Sequence, residues 1–219
     1  MQQDTALAPT HDAHAVAAPD AHAAHGAHGA HDEAASIQNR KFAVWLFLSS
    51  ETMLFMVLIT AYVFVRFNPA HAAEHEILNI PQTSLSSFLL LASSFLVVRA
   101  LDAVKRDNQV KFQRSLFLTL LLGLGFLGMQ YLEYSHMGHE GVTLNSGPFG
   151  TTFFALTGFH GFHVIIGVIW LFVIFNQSFS GKYNSKNNIG IEVFGLYWHF
   201  VDVVWVFIFT IVYLIGPLH

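Results

Sequence analysis

The chain has 219 residues, 53% of them hydrophobic and only 11% charged, with a net charge of -4. A soluble domain carries about 25% charged residues, so this composition, with a mean hydropathy of +0.48, belongs to an integral membrane protein. Cysteine is absent, which excludes disulfides, thiolate metal sites and cysteine nucleophiles, and the few basic residues sit at membrane boundaries, which leaves nucleic-acid binding without support.

Residues 1–37 form a separate Ala/His/Asp/Gly region with six histidines (His11, His14, His22, His25, His28, His31) and almost no large apolar side chains. It cannot build a core and reads as a disordered, weakly acidic cytoplasmic tail, with metal capture as the sharper alternative. It lacks the basic start and apolar centre of a secretory signal. Five apolar segments follow at about 41–67, 82–102, 113–135, 149–176 and 190–216. Each is near the ~20 residues that cross hydrocarbon as a helix. A strand reading fails because the runs are long and lack polar alternation. The expected fold is therefore all-α, a five-helix transmembrane bundle over 38–219.

Helix starts are expected at Pro81-Gln82-Thr83-Ser84 and Ser146-Gly147-Pro148, and a stop at Gly216-Pro217. Glycines 123, 125 and 128, and 158, 161 and 167, offer small surfaces for close helix packing. Nine of the ten Lys and Arg residues flank one end of the segments, with Arg66 the exception. This places the N-terminus inside and the C-terminus outside.

Ionisable groups at membrane depth are costly and face protein or water. Glu51 lies roughly 15 Å into the first helix at 1.5 Å per residue, close to mid-bilayer. It has two readings: a proton-relay acid, or a protonated acid hydrogen-bonded to a neighbouring helix. Gln130 and Glu133 share a face of the third helix and suit interhelical hydrogen bonding. His160 and His163 share a face of the fourth; metal ligation ranks below hydrogen bonding, and no metal site is expected. Glu192, His199 and Asp202 fall within about 80° on the fifth helix, so all five are expected to form one polar seam between the fourth and fifth helices. Arg66 and Arg99 sit near helix ends, where long side chains snorkel to lipid headgroups. Trp45, Trp170, Trp198 and Trp205 are not all at interface depth, so some pack inside.

The run Thr157-Gly158-Phe159-His160-Gly161-Phe162-His163-Val164-Ile165-Ile166-Gly167, then Glu192 and Tyr197-Trp198-His199-Phe200-Val201-Asp202-Val203-Val204-Trp205, closely resembles subunit III of haem-copper terminal oxidases. Ser50-Glu51 resembles that family's buried carbodiimide-reactive glutamate, and Leu121-Leu122-Gly123, Gln130, Glu133 and Gly150-Thr151-Thr152-Phe153-Phe154 match in order. The likeness covers about 38–216. It implies a non-redox subunit of a proton-pumping, oxygen-reducing complex of aerobic respiratory electron transport, an oxidoreductase and translocase. It further implies no cofactor on this chain, haem and copper in partner subunits, and structural phospholipids, with Lys41 as a lipid-phosphate contact. The partners implied are subunit I directly, subunit II and other oxidase subunits, membrane lipids, and a respiratory supercomplex where one forms, in a bacterial plasma membrane. The first helix here matches the third of seven-helix members, so their lipid cleft is open here or closed by a neighbour. Glu51 and the Phe-His-Gly-Phe-His run lean toward the cytochrome c branch, with a quinol oxidase as the alternative. A stand-alone proton or metal transporter is the distant one, since no internal repeat is apparent.

Overall fold

Hydrocarbon offers backbone groups no partners, so an apolar run of membrane length must close its own hydrogen bonds as a helix. A computed structural model describes residues 21–67 and 79–215, with side chains from Gln38 onward in the first stretch. Its helices are α1 (Ala21–Arg66), α2 (Ile80–Lys105), α3 (Gln109–His139), α4 (Pro148–Ser178) and α5 (Ile189–Phe209), the last continuing as a π-helical turn over Thr210–Leu214. Among the described residues five stretches, beginning with Gln38–Arg66, are long and apolar enough to cross a membrane.

The chain divides between Arg40 and Lys41. Residues 1–20 of the expected tail lie outside the described residues, as does Gly216-Pro217. Over 21–37 only the backbone is described, and it is helical. Alanine carries the highest intrinsic helix propensity, and seven alanines fall between 21 and 35.

At their amino ends α2 and α3 outrun their apolar runs because an asparagine caps each of them. Asn79 accepts from the Gln82 amide and starts α2, ahead of the expected Pro81 start. Asn108 accepts from the Lys111 amide and starts α3. Between them Asp107 adopts φ 55°, a left-handed conformation that Asp tolerates better than most residues. Its carboxylate accepts from the Ser185 amide at 2.7 Å, tying the α2–α3 turn to the α4–α5 loop. That bond and the nearby Lys186 hold its pKa below the usual carboxylate range.

Within 41–219, α2 and α3 form a close antiparallel hairpin, and α4 and α5 pack onto it. The membrane stretch of α1 is the least buried of the five. At the centre, the Trp198 indole of α5 is wedged between Gly123 of α3 and Gly167 of α4. A Cβ on Gly167 would lie 2.6 Å from Trp198 Cζ3, and one on Gly123 3.2 Å from Cη2. Of the six glycines expected to allow close packing, these two face the indole, whereas Gly128 and Gly161 have nothing within 4 Å of a built Cβ.

Gly167→Ala should therefore destabilise the bundle by about 1–3 kcal/mol through overpacking, while Gly161→Ala should not. Thermal melts of the two variants in detergent check the contrast. Because Asp107 has a lowered folded pKa, its stabilisation is present above the ordinary carboxylate range and lost as pH falls through the lowered value. Asp107→Asn should remove that part of the acid sensitivity, as acid-unfolding curves of both forms would reveal.

Candidate polar network of the bundle

Small hydroxyls along α2 create the polar face that organises α5. Ser93 Oγ accepts from Trp198 Nε1 at 2.9 Å, and Ser87 Oγ accepts from Trp205 Nε1 at 2.8 Å. Ser94 Oγ lies 2.6 Å from His199 Nδ1. The serine numbers fall as the α5 numbers rise, which is the register of antiparallel helices. The serines donate back to their own helix, Ser87 to the Thr83 carbonyl and Ser93 to the Leu90 carbonyl, so each oxygen serves both helices. The seven-residue spacing of Trp198 and Trp205, which puts both indoles on one face of α5, is the sequence signal of this ladder.

At one end of the bundle, Glu192 takes two lysines, Lys41 Nζ on Oε2 and Lys105 Nζ on Oε1, both at 2.7 Å. This clamps α1 to α2 and α5. Beside the clamp opens a groove of about 370 Å³ lined by Lys41, Trp45, Val97, Val98, Leu101, Glu192, Gly195, Leu196 and His199. Lys41, expected to hold a lipid phosphate, is ion-paired with Glu192 and remains partly exposed.

Deeper along α1, Glu51 Oε2 meets His163 Nε2 at 3.2 Å. His163 Nδ1 lies 2.9 Å from the Phe159 carbonyl, which can only accept, so Nδ1 carries a proton. The Glu51–His163 contact thus faces the ring's other nitrogen and joins α1 to α4. Tyr197 donates to the His163 carbonyl at 2.9 Å, joining α5 to the same turn. His160 is fully buried, its ring stacked 4.8 Å from Trp205 and edge-on to Phe126.

The single α4–α5 seam expected of His160, His163, Glu192, His199 and Asp202 does not form. His160 does meet α5 through Trp205, but His163 pairs with α1, Glu192 with α1 and α2, and His199 with α2. Asp202 is buried beside Ser94. Glu192, His199 and Asp202 each have a neighbour on α2, at Lys105 and Ser94. Glu133 accepts from Thr83 at 3.0 Å between α3 and α2, and Gln130 is buried beside Tyr134. Arg66 does not reach outward as expected. It is 3% exposed, its Nη2 donating to the Ile215 carbonyl at the carboxyl end of the π turn, where that end's negative dipole favours a cation. Arg99 is exposed, in a second groove of about 140 Å³ with Arg106 and Lys111.

The three histidines at depth do not fit haem or copper ligation. His163 is engaged at both nitrogens, His199 at Nδ1, and aromatic rings cover His160. Among the described residues no three His, Cys, Asp or Glu side chains converge as a metal site.

The profile of a known family, Cytochrome c oxidase subunit III, matches residues 17–217. The chain belongs to that family. It is 38% identical over 181 residues to cytochrome c oxidase subunit 3 of Bacillus sp. (strain PS3) and of Bacillus subtilis (strain 168), covering 82% of this chain and 87% of each relative. A probable quinol oxidase subunit 3 of Staphylococcus saprophyticus is 34% identical over 178 residues, 80% of this chain and 89% of the relative. The chain is thus a subunit III of a haem-copper oxidase, a membrane component of an oxidoreductase complex that it forms with other subunits. The transporter reading falls away.

Ser87→Ala would leave the buried Trp205 N–H without its acceptor. Interhelical hydrogen bonds in membranes average about 0.6 kcal/mol, and an orphaned buried donor costs about 1–3 kcal/mol. A loss near 1 kcal/mol is expected in detergent-denaturation curves, and Trp205→Phe with Ser87→Ala together should recover part of it.

Proposed function

We propose that this subunit III is the redox-silent, architectural member of a proton-pumping cytochrome c oxidase in a bacterial plasma membrane, lying directly against subunit I and in one complex with subunit II. The observation that carries this reading is how the polar side chains at depth are used. Glu51 meets His163, Ser94 meets His199, Thr83 meets Glu133, and two indoles meet serines, so these groups hold helices to one another. The haems and copper belong to the partner subunits.

The N-terminus lies inside and the C-terminus outside, because nine of ten basic residues gather at one end. Phospholipid headgroups bind at that end, where exposed Arg99, Arg106 and Lys111 line one groove. The apolar outer face of α1, with Met53, Met56, Val57 and Phe64 exposed, meets acyl chains or a neighbouring subunit. Glu51 is the proton-related residue, a carboxyl group 3.2 Å from His163 Nε2.

Cytochrome c is the favoured donor, since the two Bacillus relatives at 38% identity carry that name. Quinol is the second reading, on the staphylococcal relative at 34%. Purification through an affinity tag on this chain should bring down haem- and copper-containing subunits in fixed proportion. Recovery without any haem protein would overturn the assignment. Oxygen consumption by that complex with reduced cytochrome c, but not with quinol, would decide the branch.

A further inference from the structure

A serine inside a helix can return its hydroxyl to a carbonyl of the preceding turn, and Ser84, Ser86, Ser87 and Ser93 all do so on α2. Ser115 of α3 does not. It is 7% exposed, and its Oγ makes no hydrogen bond among the described residues. It lies in the wall of the groove of about 140 Å³ between the end of α2 and the start of α3, with Arg99, Asp102, Arg106, Asn108 and Lys111. Arg99 and Lys111 have no carboxylate partner among the described residues, whereas Arg106 pairs with Asp102 at 2.9 Å. Asn108 uses its oxygen on the Lys111 amide and keeps its side-chain N–H donors. The groove thus gathers positive charge and donors around a hydroxyl that is nine-tenths buried, and its single carboxylate is already taken.

We propose that this groove is a selective site for the phosphate of an anionic phospholipid, a reading that rests on headgroup binding at this end of the bundle. Basic residues at one end of membrane helices follow from orientation alone; their convergence on one cavity, around a free and buried hydroxyl, does not. One water's share of liquid volume is about 30 Å³, so the groove has room for a compact polar group and none for a partner's helix. Ser115 stands six residues into α3 and Arg99 six before the end of α2, about 9 Å along each helix at 1.5 Å per residue. The surface beyond them, toward the membrane interior, is apolar. Phe95, one turn from Arg99, is 63% exposed, and Leu118, one turn from Ser115, is 44% exposed. That continuation fits an acyl chain and offers a soluble phosphate nothing.

The phosphate meets Arg99, Lys111 and the Ser115 hydroxyl, with the Arg99 guanidinium able to present two parallel N–H donors. Arg106 and Asn108, in the turn, meet the rest of the headgroup. Selectivity follows from the charge there. A zwitterionic headgroup ends in an ammonium that needs an acceptor, and the Asp102 carboxylate is held by Arg106. A headgroup of net negative charge that ends in hydroxyls meets donors on every side and neutralises the cations.

Native mass spectrometry of the purified, complete oxidase tests it, after incubation in detergent with equal amounts of phosphatidylglycerol and phosphatidylethanolamine. The readout is the lipid retained on this subunit when it is released from the complex. Phosphatidylglycerol should exceed phosphatidylethanolamine by about tenfold. Arg99→Gln should lower its retention by about fivefold, the scale of one basic side chain at an anionic lipid, and Ser115→Ala by about threefold, the scale of one hydrogen bond. Lys186→Gln removes a charge at the same end but outside the groove, and should leave retention unchanged. Equal retention of the two lipids, both lost in the groove variants, overturns the selectivity and leaves headgroup binding at this end standing. A loss in Lys186→Gln equal to that in Arg99→Gln overturns the groove as a site, since a diffuse basic surface then suffices. Displacement of phosphatidylglycerol by millimolar inorganic phosphate assigns the groove to a soluble anion, and loss of another subunit from the Arg99→Gln complex assigns it to a protein partner; either result sinks the lipid site. Absence of lipid on this subunit in every form overturns headgroup binding, and the site with it.

Discussion

The rest of the structure depends on what hydrocarbon refuses to do. Water at a soluble surface accepts any stray polar group; the bilayer interior does not, so a polar side chain at depth must find its partner in protein or in trapped water. In this chain that constraint becomes a set of helix–helix bonds. A serine on α2 that already donates to its own backbone still has a lone pair to accept an indole N–H. One small side chain thus satisfies two helices, and the spacing of such serines sets the register between α2 and α5.

Shape acts alongside the polar pairing. Trp198 both donates to Ser93 and fills the notch between Gly123 and Gly167. Sliding α5 along its axis would break the hydrogen bond and drive the ring into a backbone at once, so the two requirements reinforce one another. By contrast α1 has little core packing and is tied by a few specific contacts. Its lysine end is clamped through Glu192, its middle through Glu51 and His163, and its other end through Arg66 and the Ile215 carbonyl. The exposed lysine pairs contribute little each, since solvent screens them; their value is in fixing where α1 sits.

The five membrane helices were legible in the sequence because hydropathy and length report a transfer free energy that each residue contributes locally. Their ends were less so, since Asn79 and Asn108 cap beyond the apolar run. The arc of Glu192, His199 and Asp202 was also legible, because one turn of helix fixes which residues share a face. Which neighbour that face meets was not, because helix order in space follows from packing across the whole bundle. Arg66 misled for a related reason. A basic residue near a helix end usually reaches for headgroups, but here a helix terminus lies closer and offers its carbonyls instead. His160 kept its place on the α4–α5 contact, held there by an aromatic stack that composition alone does not reveal.

The ladder between α2 and α5 also bears on the order of assembly. Ser87 and Ser93 emerge from synthesis well before α5, and both can return their protons to carbonyls within their own helix while they wait. In a four-helix intermediate Ser87 and Ser93 therefore leave no orphaned hydroxyl donor, only open lone pairs and an empty notch beside Gly123 and Gly167. The last helix supplies both the missing donors and the missing volume in one step. Insertion of α5 thus acts as a closing wedge, and the bundle reaches its final packing only when its most polar membrane helix face has been covered.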